Sequence, residues 1–342
     1  MIQRNLSRLS DVARLAGVSI PTASQALNGH ARISAETRRR VREAARQLRY
    51  TPHAAARRLI LGRSNSIAIV PGTNLTGLFS DLFYRALLSG VGGVFEETGF
   101  RMLITPAIRS ATEVPQFIQM ARGREVDGVL VAGVVEAAWI NAVTVTGMPV
   151  VLLDNHDPEL SVPAVVNDNA QGAYSATRYL TALGHTRIGL IGAAVTYPFG
   201  PETRAGYRRA LRDAGLPVDP NLEVSSPIDV DRARASTGRL LTLPNPPSAI
   251  FAVTDAMALG VIKAAHDRGW SIPGDLSVVG MDDIELASAT SPPLTTVRIR
   301  KEEMGQKAAQ ALIRVIAGQE PGPSPIVLSN ELVVRGTTGR KR

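Results

Sequence analysis

From Ser66 onward, short apolar runs alternate with longer amphipathic segments, and this alternation restricts the fold more than any other feature. The runs lie at 67–70, 102–105, 128–131 and 150–153, then at 188–191, 249–253 and 276–280. Segments with helical periodicity lie at 81–98, 114–123, 169–183, 201–214, 256–268 and 301–317. Strands that are apolar throughout, without alternation, belong in parallel sheets covered on both faces. Two successive sets predict two doubly wound lobes, an α/β body with a cleft at the strand ends where such sheets receive ligands. No repeat of solenoid period is present. The proline-bearing stretches 244–247 and 321–325 read as loops.

The first 63 residues follow another pattern. Leu9, Val12, Ala13 and Ala16 form one apolar stripe at helical spacing. Gly17 permits a sharp turn. Ser19 suits the N-cap of a second helix, and Pro21 is tolerated in its first turn. That short helix presents Thr22, Ser24 and Gln25, small polar groups suited to base edges in a major groove. Ser34 caps a predicted third helix from Ala35 to about Arg49, with Val41, Ala45 and Leu48 inward and six Arg against two Glu outward. Thr51-Pro52 ends it, and an Ala-rich segment, HAAARRL (53–59), precedes Gly62. Residues 1–51 therefore read as a small all-α head, 52–63 as a hinge or linker, and 64–342 as the body.

Charge supports this division. Residues 1–63 hold thirteen Arg and three acidic side chains, a net +10, which leaves −2 for all the rest of the chain. Confinement of the basic excess to the head is the electrostatic footprint of a phosphate-binding module. The chain has no Cys, and its five His show no metal-ligand spacing, so no metal or other cofactor is expected. No apolar run approaches a membrane span and no signal-peptide core is evident, so a cytoplasmic location is expected. A dinucleotide fingerprint, phosphate loop and nucleophile elbow are missing too, which argues against an enzyme.

The segments DVARLAGVS, TASQALNG and ISAETRRRVREAARQLRYTPHAAARRL resemble the DNA-binding head of the lactose-repressor (LacI/GalR) family of bacterial transcription regulators. In the body, GHTRIGLIG (184–192), RAGYRRAL (204–211), FAVTDAMALGVIKA (251–264), SVVGMDDIELA (277–287) and PPLTTV (292–297) continue the likeness in order. The resemblance implies a helix-turn-helix head whose DNA-contacting residues include Ser19, Ile20, Pro21, Thr22, Ser24, Gln25 and Asn28. It also implies a hinge helix, with His53, Ala56, Arg57 and Leu59 on DNA and Leu59 wedged in the minor groove. His53 stands where the family usually has Asn, Ala55 replaces a larger residue that packs on its twin, and Gln25 stands where Arg is usual. The first two departures suggest a weakened hinge.

For the body, the resemblance implies a periplasmic-binding-protein-like pair of lobes crossed three times by the chain, near Val165, Thr290 and Gly322. The N-lobe would hold about 64–164 and 291–322, and the C-lobe about 165–290 and 323–342. Arg204 would grip ligand hydroxyls or a carboxylate. Asp282 would accept hydrogen bonds from the ligand. Asp255 matches an Asp that usually follows Asn, here replaced by Thr254. Beyond the resemblance, Phe79, Phe83, Tyr84, Tyr197 and Phe199 cluster after the first strand of each lobe, where flat rings suit sugars or bases, and Asp154 ends a strand. Ile228 lies where relatives place an aromatic. The expected protein is a homodimeric repressor whose affinity for an inverted-repeat operator is set by a small molecule, a sugar or sugar derivative, in the cleft. A purine- or nucleoside-responsive regulator on the same fold is the alternative; a transport binding protein does not fit the basic head.

Overall fold

The computed structural model describes residues 7–27, 33–50, 63–107, 114–194 and 197–341. They fall in two compact units, Met1–Ser64 and Asn65–Arg342. In the head, helix α1 (Leu9–Ala16) ends at Gly17, whose φ of 63° carries the left-handed turn. Helix α2 (Ile20–Leu27) starts at Ser19, whose Oγ accepts the Thr22 N–H at 3.2 Å. Helix α3 (Ala35–Gln47) is capped by Ser34 in the same manner. Val12, Ala13 and Ala16 pack on Ala23, Ala26, Val41, Ala44 and Ala45. Small side chains at this junction let three short helices approach closely, which no one of them could justify alone in water.

The body has two six-stranded sheets. Strands β1 (Ser66–Pro71), β2 (Arg101–Ile104), β3 (Gly128–Ala132), β4 (Val150–Leu153) and β5 (Ala164–Asn167) join β11 (Ile326–Leu328) in the all-parallel order β11-β5-β4-β3-β1-β2. Strands β6 (Ile188–Ala193), β7 (Glu223–Ser226), β8 (Ala249–Ala252), β9 (Ser277–Asp282) and β10 (Thr295–Arg298) are parallel, and β12 (Glu331–Val333) joins antiparallel at the edge, in the order β12-β10-β9-β8-β6-β7. The second sheet is thus mixed where a purely parallel one was expected.

Helices cover both faces. In the first lobe they are α4 (Leu75–Ser80), α5 (Leu82–Thr98), α6 (Val114–Arg122), α7 (Ala137–Thr144) and α13 (Lys301–Ile316); in the second, α8 (Asn169–Ala182), α9 (Phe199–Asp213), α10 (Val230–Leu240), α11 (Asp255–His266) and α12 (Glu285–Ala289). Trp139 and Phe117 pack edge to face, 5.0 Å between ring centroids, under one face of the first sheet. β1, β3, β4, β6, β8 and β9 are buried along their whole length, which explains their unbroken apolar character.

The chain crosses between lobes after Asn167, at 299–300 and at 329–330. The second and third crossings lie later than Thr290 and Gly322, because β10 still pairs with β9 and β11 still pairs with β5. Asn330 Nδ2 donates to the Asp168 carbonyl at 2.6 Å, tying the first crossing to the third. Among the described residues no helix is long and apolar enough to cross a membrane, and no group of three or more His, Asp or Glu is placed to hold a metal.

Candidate functional site

The head presents α2 outward. Ser19, Ile20, Pro21 and Gln25 are exposed, and Thr22 and Ser24 half-buried. The Ser19 and Thr22 hydroxyls share a 2.8 Å hydrogen bond, so both are committed to the helix start. Gln25 makes no hydrogen bond among the described residues. Arg14 pairs with Asp11 and Arg46 with Glu43, while Arg38, Arg39, Arg42 and Arg49 have no acidic partner among the described residues. Asn28, His53, Ala56, Arg57 and Leu59 lie outside the described residues.

In the body, the carboxyl ends of strands from both lobes carry acidic side chains, Asp154 just past β4 and Asp282 at the end of β9. Asp154 follows β4 with φ 57°, a left-handed conformation that Asp tolerates better than most residues. Tyr84, near the start of α5, sets its hydroxyl against the backbone of Gly133 at the end of β3, and Gly133 N–H bonds the Leu153 carbonyl at 2.8 Å. Tyr84 and Asp154 are therefore neighbours at two adjacent strand ends. Burial pushes the Asp154 carboxyl up to about 7, and the negative charges of Glu202 and Asp81 add to the shift. Burial also raises the Tyr84 phenol, with Asp154, Asp81 and Tyr197 contributing. Glu202, in the first turn of α9, accepts a 2.9 Å hydrogen bond from Asn169. Phe83 meets Tyr84 edge-on at 5.8 Å and packs into the core, and Tyr197 and Phe199 form a tilted pair at 5.6 Å. Phe79, by contrast, is 63% exposed on α4.

Asp282 ends β9. It is only 8% exposed, and Oδ2 accepts one long bond, 3.4 Å, from the Asp255 N–H. Burial raises its carboxyl well above the ordinary range, the Asp255 charge adds to this, and Lys301 opposes it. Lys301 Nζ donates to the carbonyls of Asp282, Asp283 and Ile299, anchoring the crossing beneath the site. At the rim, Arg85 of α5 and Glu285 of α12 form a 2.6 Å ion pair between lobes.

Asp255, Thr254 and Arg204 each make hydrogen bonds or ion pairs within the protein. Asp255 is fully buried, with Oδ1 accepting from Thr296 Oγ1 at 2.5 Å and Oδ2 from Ile284 N–H at 2.9 Å, so it fastens β10 and the loop after β9 to α11. Thr254 caps α11, its Oγ1 accepting the Met257 N–H at 3.2 Å. Arg204 sets its guanidinium beside Gly192 at the carboxyl end of β6. Its guanidinium pairs with Glu223 at 3.2 Å and donates to Ser225 at 3.0 Å, beside the edge strand β7, and Glu223 also holds Arg208 at 2.8 and 2.9 Å. Arg204 and Glu202 are two residues apart on α9 and so project to opposite sides of it. Glu202 and Asp81 had no sequence signal of their own. Acids at helix starts are ordinary caps, and Asp81 does cap α5 through the Phe83 N–H at 2.9 Å.

Comparison with known proteins bears on both regions. Residues 8–53 match the family of bacterial regulatory proteins, lacI family, and residues 177–338 match a periplasmic binding protein-like domain. Over 334 residues the chain is 34% identical to the HTH-type transcriptional regulator DegA of Bacillus subtilis (strain 168), covering 96% of this chain and 97% of that protein. The structure of the transcriptional regulator CelR–cellobiose complex superimposes with a TM-score of 0.73 at 32% identity, covering 97% of this chain and 99% of that one. The lac repressor dimer bound to operator and the anti-inducer ONPF gives a TM-score of 0.85 at 26% identity, covering 98% of this chain and 100% of the other.

Proposed function

This chain belongs to the lacI family of bacterial regulatory proteins and is a DNA-binding transcription regulator, not an enzyme; from that membership we propose that it is a repressor controlled by a small molecule in the interlobe cleft. The observation that carries the proposal is that Asp154 and Tyr84 at the strand ends of one lobe, and Asp282 at a strand end of the other, all feel the charge of Asp81 at the start of α5. An ionised carboxyl accepts, a protonated one also donates, and Tyr does both, a set suited to the hydroxyls of a carbohydrate. The cellobiose complex of the similar regulator supports a sugar or sugar derivative as effector. Two chains working as a homodimer on an inverted repeat is the reading supported by the lac repressor dimer on its operator. In that reading Ser19, Ile20, Pro21, Thr22, Ser24 and Gln25 meet the major groove, Asn28 and the hinge residues His53, Ala56, Arg57 and Leu59 contribute beside them, and the protein works in the cytoplasm beside its DNA.

The test is a thermal-shift screen of sugars and nucleosides, followed by operator binding with each hit. A sugar hit that changes operator affinity is the expected result. Asp282→Asn is expected to abolish that response while leaving operator affinity without effector within about threefold, a shift of under 1 kcal/mol. A response unaltered by Asp282→Asn would remove the cleft assignment, and a nucleoside-only response would replace the sugar.

A further inference from the structure

We propose that Lys301 is a positioning residue of the cleft: its Nζ holds the Asp282–Asp283 turn from across the second crossing and so presents the Asp282 carboxyl to the effector; this rests on the reading of the cleft as the effector site. Lys301 opens α13, in the first lobe, and is only 8% exposed. Both features are unfavourable for a Lys. The start of a helix favours anions, which Glu302 and Glu303 supply in the same turn, and burying a cation is costly unless it is fully hydrogen-bonded. What its Nζ reaches accounts for its place.

Nζ carries three donors and meets three carbonyls, those of Asp282, of Asp283 at 3.2 Å and of Ile299 at 3.4 Å. Asp282 ends β9 in the second lobe and Asp283 follows it, whereas Ile299 lies on the crossing between β10 and α13. One side chain therefore ties the start of a first-lobe helix to a second-lobe strand end. The turn it holds needs support. φ is 129° at Asp282 and 55° at Asp283, both in the region that favours glycine. The Asp283 carboxyl is gripped by Arg298 at 2.7 Å and Arg335 at 2.6 Å, and the Ile284 N–H by Asp255 at 2.9 Å. For the Asp283 carbonyl, Lys301 is the one donor among the described residues.

With three donors on three carbonyls, Lys301 has none left for a ligand, which separates positioning from direct contact. Its charge acts on the same carboxyl, opposing the rise that burial and the Asp255 charge impose on Asp282. Removing the ammonium strips the Asp283 carbonyl of its donor, loosens a strained turn and leaves Asp282 less inclined to ionise. The acceptor offered to the effector is then lost in geometry and in charge together.

The chain has no Cys, so Lys301→Cys gives it a single thiol. Alkylating that thiol in urea with 2-bromoethylamine rebuilds a side chain of lysine length ending in an ammonium, and 1-bromopropane gives the uncharged isostere; both are refolded as the full chain. Hydrogen exchange across 282–285 is expected to be about tenfold faster in the propyl form than in the native chain, with β6 unchanged and the aminoethyl form within about threefold of native. Calorimetry at pH 7 with cellobiose, glucose, galactose and ribose is the second readout. Any of these that binds the native chain is expected to bind the propyl form about tenfold more weakly and the aminoethyl form within about threefold of native. Lys301→Met, which needs no refolding, gives the same two readouts should the alkylated chains fail to fold. Exchange left at the native rate, acceleration spread evenly over the second lobe, or sugar binding equal in the native and propyl forms would each overturn the inference. So would weakened sugar binding with exchange at 282–285 unaltered, which would make Lys301 a direct ligand contact. If none of the four sugars binds the native chain, the carbohydrate-effector reading falls, and exchange alone decides the part of Lys301.

Discussion

Gln25 is the head residue whose chemistry is most open to reading. The Ser19 and Thr22 hydroxyls bond each other, and Ile20 and Pro21 offer no polar side-chain group, but the exposed Gln25 amide has no hydrogen-bond partner among the described residues. An Arg here would suit the two acceptors of guanine, whereas Gln suits the acceptor and donor of adenine. Selection of binding sites from random DNA is expected to yield A·T at the base pair that Gln25 meets, and G·C with Gln25→Arg, a discrimination of about 1–3 kcal/mol. Identical half-sites from both proteins would mean that Gln25 touches only backbone. The residue scale also marks how far the cleft was legible. The positions of Asp282 and Asp154 at strand ends were readable, the first from MDD in the family pattern and the second from the apolar run before it. The pairing of Arg204 with Glu223 was not legible, because Glu223 lies on a short strand without an apolar signature and sequence order says nothing of which acid a guanidinium reaches. The structural role of Asp255 was not legible, because a buried carboxylate shows its purpose only when Thr296 and Ile284 are placed against it.

At the scale of elements, legibility followed burial. The central strands β1, β3, β4, β6, β8 and β9 announced themselves as apolar runs, as did the edge strand β2, but β5, written AVVN, did not although it lies between β11 and β4. The edge strands β7 and β12, written EVSS and ELV, did not, because an edge strand is short and half wet. β10, written TTVR, was hidden for another reason. Its Thr295 and Thr296 are fully buried, and each is satisfied by a distant partner, Thr295 N–H by Thr337 Oγ1 at 2.8 Å and Thr296 Oγ1 by Asp255. Helix α10 escaped because its inward face is Ala233, Ser236, Thr237 and Leu240, too polar for a hydrophobic stripe. Packing of α5 on α13 depends on glycine in a manner that no periodicity discloses. A Cβ at Gly305 would run into the Leu87 carbonyl, and one at Gly90 into the Glu302 carbonyl, so the two helix backbones touch here. Gly305→Ala is expected to destabilise the body by about 1–3 kcal/mol, since backbone must shift to admit the methyl. Gly92→Ala on α5 meets nothing within 4 Å and is expected to stabilise by up to ~1 kcal/mol through helix propensity. Urea unfolding of the two variants checks the opposite signs; equal effects would mean the helices do not approach so closely.

At the scale of the whole molecule, the division of charge separates two tasks. The body, net −2, gains nothing from DNA electrostatically, and its cleft is acidic. The head and hinge together, net +10, carry on and just after α3 a row of Arg of which Arg38, Arg39, Arg42 and Arg49 face no acid among the described residues. An Arg row of this kind, in the absence of DNA, is a cost of self-repulsion that a phosphate backbone relieves by releasing its own counterions. With two heads on one duplex, several phosphates per head are neutralised. Operator affinity is then expected to fall by about 10³–10⁵ between 50 and 200 mM salt, linearly in log–log form. A dimer's two-fold axis further requires two protected half-sites related by inversion, with their centres about one helical turn or a multiple of it apart. Arg38→Ala and Arg42→Ala, both on α3 and not on α2, should each flatten the salt slope by roughly one contact per head while leaving the selected sequence unchanged. Footprinting and fluorescence titration over that salt range measure all three quantities. A single protected half-site would rule out the two-fold arrangement, and an affinity insensitive to salt would rule out the Arg row as a phosphate-binding surface.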